Sequence, residues 1–186
     1  MLPALAPLIA IAGSSAIIAL IGLCAVLALL ATTEDQPRLV LPGAVVLLVG
    51  VVAVAADYPL VIPELQFGAG LALAVLGVLG GGPAAALVLR AATREGSPGS
   101  NGGILVGDEP GREVLRGGTT IGFLERVIVV AAVLIGRWEL LAALIAVKGL
   151  GRFRDLDAGA ATERFIIGTL VSLIWAGAAG GVIALG

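Results

Sequence analysis

Histidine is missing from this chain altogether, and cysteine occurs once, at Cys24. Without histidine there is neither the usual general base nor the commonest ligand of transition metals and haem. A lone cysteine in an apolar run closes no disulfide within the chain and builds no zinc cluster; it reads as a small core residue. No cofactor is therefore expected. Charge is scarce as well, at 13% of 186 residues, against about 25% in soluble domains. The net charge of −2 is an average over clustered basic residues, and no nucleic-acid partner is expected from it.

What the chain has instead is aliphatic sequence: 59% hydrophobic, with a mean hydropathy of +1.13. A soluble fold of this length has no interior large enough for so much apolar surface, so the expected class is all-α, a polytopic transmembrane helical bundle. Long unbroken Ala/Leu/Val/Ile runs exclude a membrane β-barrel, which needs short alternating segments. The N-terminal run starts without a basic residue and continues through Leu30. It is longer than a signal-peptide core and reads as a retained first span.

About six spans are expected. The first covers 5–31 and stops at Glu34, Asp35 and Pro37; the second covers 39–56 and closes at Asp57-Tyr58-Pro59. The third, 65–90, holds Gly80-Gly81-Gly82-Pro83, where a missing ladder hydrogen bond and three glycines predict a kink or break. The competing explanation is close helix contact through Gly77 and Gly81. Residues 1–93 thus form an N-terminal group of three helices, 94–118 a Gly/Ser/Pro-rich cytoplasmic loop, and 119–186 a C-terminal group of three. Inside the loop, 104–106 and 113–115 are placed to pair as a small hairpin.

The stretch 119–153 is the richest in chemistry. Its aliphatic run is interrupted by Glu125-Arg126, by Arg137-Trp138-Glu139, and by Lys148 leading to Arg152. Each charge in hydrocarbon costs roughly 2.5 to 3.5 kcal/mol, so each needs a partner or a use. If the chain turns at Gly136-Arg137, Arg126 and Lys148 each stand about eleven residues from the turn, ~16 Å along their helices. Glu125 and Lys148 are then the facing ion pair, with Arg152 as competitor. A rival thread makes 127–147 a single helix, which buries Arg137 and Glu139 too. Glu125, Arg126, Lys148, Arg152, Arg154, Glu163 and Arg164 form the candidate ligand site, with Asp155 and Asp157 nearby. Gly149 and Gly151 would let a phosphate approach the backbone. The last span, 162–184, carries Gly177 and Gly181 at a helix-packing spacing.

The basic residues set the expected orientation. Arg38, Arg90, Arg94, Arg112, Arg116, Lys148, Arg152, Arg154 and Arg164 fall on one side and Arg137 alone on the other. By the positive-inside rule both termini are extracytoplasmic.

Four motifs run through the last third: Ile121-Gly122 with Leu124-Glu125-Arg126; Gly136 with Trp138; Ala146, Lys148, Arg152, Phe153 and Leu156; and Glu163 with Ile166 to Leu170 and Ser172. In these the chain resembles the C-terminal half of a family of bacterial integral membrane proteins known only as a domain of unknown function. The family's N-terminal half is rich in His and Asp and its lysine precedes Ser, whereas this chain has no His and Gly149 after Lys148. The resemblance implies a helical fold in a bacterial inner membrane and marks the same hairpin, without a known reaction. The expected function is binding or moving a small solute, ion or anionic lipid. An accessory subunit, in a homo-oligomer or a larger membrane complex, is the alternative, and an enzyme acting on a lipid phosphate comes third.

Overall fold

The structure, a computed structural model, describes residues 2–92, 117–152 and 159–186. Among these every regular element is helical: α1 Leu2–Thr33, α2 Leu41–Ala55, α3 Gln66–Ala92, α4 Gly117–Leu134, α5 Trp138–Arg152 and α6 Gly159–Leu185. Short 3-10 turns, Pro37–Val40 and Pro63–Leu65, lead into α2 and α3. The proposed 104–106/113–115 hairpin and Arg154 lie outside the described residues.

The turns follow one rule. At the end of α2, Asp57 takes φ 53°, and the amide of Tyr58 returns to the Ala53 carbonyl at 2.9 Å. At the end of α4, Gly136 takes φ 66°, and the amide of Arg137 returns to the Ala132 carbonyl at 2.9 Å. This left-handed cap satisfies the last carbonyls of a helix and reverses the chain. It settles the thread: α4 and α5 form a hairpin at Gly136, and the single helix over 127–147 does not occur.

Two contacts mark the ends of the bundle. Arg90 bonds Asp35 at 2.6 Å, joining the close of α3 to the α1–α2 turn. At the opposite end the Ile62 amide donates to Ser14 Oγ at 3.1 Å. Gly186 stands beside Val54, near that second end, so α1 begins and α6 finishes on the same side.

Among the described residues four helices are long and apolar enough to cross a membrane: Leu5–Thr33, Pro37–Ala55, Pro63–Ala92 and Thr162–Leu185. The expectation of six spans is thus met in four. With 15 residues, α5 rises only about 22 Å, short of a ~30 Å hydrocarbon core. The 18 residues of α4 include both Glu125 and Arg126. The outward faces are as apolar as the interior: Phe67 is 86% exposed, Leu48 64% and Ile174 68%. Such a surface suits lipid, since water would drive it to aggregate.

The core is built from small residues. Ile21, Cys24, Ala25 and Ala28 of α1 meet Leu73, Leu76 and Ala84 of α3, with Trp175 and Ala179 of α6 closing the cluster. Between lipid-bathed helices the hydrophobic effect gives little, so close approach and dispersion must hold them together, and small side chains permit that. The α3–α6 seam is the most extensive interface; α4 packs on α6 and α3, whereas α5 leans chiefly on α4.

Of the expected kink or break, the break does not occur. Instead of breaking at Gly80-Gly81-Gly82-Pro83, α3 continues unbroken from Gln66 to Ala92. The glycines serve contact. A Cβ on Gly77 would stand 2.7 Å from Ala179 Cβ, and one on Gly80 would stand 2.4 Å from the Trp175 ring.

Candidate functional site

Residues 125 and 126 are neighbours on α4, about 100° apart around a helix of 3.6 residues per turn. They consequently face different partners. Arg126 is 4% exposed and reaches into the α3–α6 seam. Its Nε donates to the Val78 carbonyl, its Nη1 donates to Ser172 Oγ at 3.3 Å, and its Cζ lies 4.9 Å from the centre of the Phe123 ring.

The slot that admits it is glycine-lined: a Cβ on Gly81 would meet Arg126 Cδ at 2.5 Å, and Gly122 and Gly82 flank the guanidinium. Pro83 has no N–H, which leaves the Leu79 carbonyl without its helical donor. Arg126 thus docks onto α3 beside the turn that proline loosens. A second donor does the same nearby, since Trp175 Nε1 donates to the Leu76 carbonyl at 3.0 Å.

Glu125 points the other way and forms an ion pair with Lys148 of α5. Its burial is nearly complete, at 7% exposed. The spacing across the Gly136 turn had singled out this pair, and the hairpin brings the two together. Lys148 Nζ also sits 5.8 Å from the centre of the Phe165 ring, within cation–π range. Phe165 is three residues inside Thr162, where the last candidate span starts. The amine therefore lies close to the Arg90 end of the bundle, a lysine stem running along apolar surface with its charge near the boundary.

Of the other sequence candidates, two that are described stand outside this group. Glu163 and Arg164 are exposed on α6, about 12 Å along the helix from Ser172. Arg152 is the last residue of α5, and the charge of Arg137 and Glu139 is exposed beside Trp138 at the turn.

Four partners were missed by sequence reasoning about charge. Phe123 and Phe165 carried no signal beyond being apolar, and the Val78 carbonyl carried none. Ser172 had one, a hydroxyl inside an apolar run, but only its place in a motif drew notice.

Electrostatically, the group holds two cations, Arg126 and Lys148, and one carboxylate, Glu125. Arg126 is occupied by protein acceptors on α3 and α6. Lys148 has three donors, and its two neighbours described here are one carboxylate and one ring face. Among the described residues no cluster of His, Cys, Asp or Glu is arranged to hold a metal. Compared with family models, curated proteins and solved structures, the chain matches none.

Proposed function

We propose that this is a multi-pass protein of the bacterial cytoplasmic membrane that binds, and passes on, an anionic group at Lys148. The class includes a small anionic solute, an ion and the head of an anionic lipid. One observation carries it: among the described residues the charged group holds two cations, buried Arg126 and half-buried Lys148, against one carboxylate, Glu125. An uncompensated charge at low dielectric is expensive, so a singly charged anion arriving at the ammonium would be favoured there. Orientation agrees. Arg38, Arg90 and Arg164 are exposed or half-buried toward the end where Lys148 lies, with Arg137 at the other, a distribution that supports a cytoplasmic Lys148 end and extracytoplasmic termini. The motifs in which the chain resembles a bacterial membrane family include Glu125, Arg126 and Lys148.

The test uses the full chain in neutral detergent with glycerol phosphate, an anionic headgroup without chains. It should raise the thermal midpoint of the wild type and leave that of Lys148→Met unmoved. No response in the wild type, or equal responses in both, would discard the proposal.

A second function is favoured by a separate observation. A Cβ on Gly177 or Gly181 would meet nothing within 4 Å, so among the described residues no neighbour closes on this small-residue face. It suits an accessory subunit that packs against a second copy or a larger complex. In that case Gly177→Leu dissociates a detergent-stable assembly while Lys148→Met has no effect.

A further inference from the structure

Directly above the ion pair, toward the Gly136 turn, α4, α5 and α6 leave a groove of about 350 Å³. Its walls are Val129 and Val133 of α4, Ile145 of α5 and Ile174 of α6; Trp138 stands at its far end. Gly177 and Gly181 form its back, and they are the open glycines just described. Every lining side chain is aliphatic or aromatic, or is absent at glycine. Val129 is four residues from Glu125, and Ile145 is three from Lys148, so the charged pair sits one helical turn below the walls.

We propose that this groove holds one acyl chain of an anionic phospholipid, whose head is held by Lys148 at the same end. The inference rests on the anion-binding role of Lys148 and names the ligand class. Charge and shape agree on it. From Lys148 to Trp138 is ten residues, about 15 Å of α5, a length that hydrocarbon spans and a small solute does not. The volume falls in the range of small-molecule sites. A helix 10 Å wide would displace roughly 1,200 Å³ over that length, so a partner helix enters only by its edge, whereas a single chain fits whole. A polar solute would gain nothing from such walls. The ammonium beside Phe165 lies near the start of the last candidate span, and Trp138 lines the end of the groove toward the Gly136 turn. Head and chain therefore meet their complementary surfaces in one lipid orientation.

Trp138 offers the readout. The full chain is reconstituted in phosphatidylcholine vesicles containing a small fraction of phospholipid with a brominated chain, which quenches nearby indoles. Brominated phosphatidylglycerol should be enriched at the groove roughly fivefold over brominated phosphatidylcholine at equal mole fraction, the effect of one basic residue on an anionic lipid. This comparison needs no mutation. Lys148→Met should make the two lipids equal, and Gly177→Leu, which fills the back of the groove, should remove the excess quenching while leaving the glycerol phosphate response of the detergent protein intact. If glycerol phosphate binds but the two brominated lipids quench equally, the anion site stands and the acyl-chain assignment is wrong. If glycerol phosphate has no effect either, both fall. A cross-linked dimer through Gly177 without excess quenching would give the groove to a second copy and refute the lipid.

Discussion

The α3–α6 seam and the α4–α5 hairpin solve the same problem, holding apolar rods together in lipid, by opposite means. In the seam the side chains have been removed: Gly77 abuts Ala179, and Gly80 receives the face of Trp175. Dispersion over a close-packed surface does the holding, and each position tolerates only hydrogen. In the hairpin the packing is sparser, with Leu140, Ile145, Val147 and Leu150 of α5 facing outward; Leu141 and Leu144 pack on the Val129–Val130–Ala176 cluster, and among the described residues one ion pair, Lys148 to Glu125, ties α5 to α4. Shape fixes one region and charge fixes the other. The lesson is that a glycine-rich run and an isolated charge are both contact devices here, each meaningless until its counterpart on another helix is known.

The sharpest way to break the contrast is to give the seam a side chain. Gly80→Leu should cost more than about 3 kcal/mol, at the upper end for overpacking, seen as loss of the monodisperse peak and a lowered thermal midpoint in detergent. Gly149→Ala, at a position with nothing within 4 Å, should stay within about 0.5 kcal/mol. Equal effects would show that the seam is not close-packed.

Next in size is the charge that invades the seam. Arg126→Lys keeps the charge but loses the planar fork that serves Val78 and Ser172 together, and should destabilise by about 2 kcal/mol in denaturant titration. A silent Arg126→Lys would mean that charge alone matters there.

In the hairpin, Lys148→Met strands Glu125 in apolar surroundings. Complete burial would put the loss at about 3 kcal/mol; partial exposure of Lys148 brings it nearer 1 to 2. Adding Glu125→Gln should recover most of that, since the penalty comes from the orphaned partner. A double mutant no better than the single would contradict the pairing. Smallest of all, Asp35→Asn removes an exposed ion pair with Arg90 and should change stability by less than about 0.5 kcal/mol, a value checked in the same titration.

Much of this could be read from the chain. The apolar runs located the helices to within a few residues, and eleven-residue spacings about Gly136 matched Glu125 to Lys148, because both follow from the fixed rise of a helix. What escaped reading depended on residues far along the sequence. Gly80-Gly81-Gly82-Pro83 looks like a helix breaker when taken alone; its reason lies in Trp175 and Arg126, which no local pattern connects to it. Arg126 was grouped with Lys148 as a ligand-binding cation because composition cannot tell a charge satisfied by a distant carbonyl from one left open. Of the six expected spans, four are long and apolar enough among the described residues. Hydropathy marks α4 and α5 as membrane sequence, whereas their length and charges make them a hairpin leaning on the longer rods.

The hundred degrees between residues 125 and 126 have a mechanical result. Arg126 rivets α4 to two long helices through a group that keeps its charge at any physiological pH, so α4 behaves as part of the frame. Its immediate neighbour grips a short helix with few other holds, joined to the frame through a glycine elbow. Rearrangement should accordingly be confined to α5, swinging about Gly136 while the other rods stand still, and one peptide unit of α4 marks the border between the stationary and the moving half.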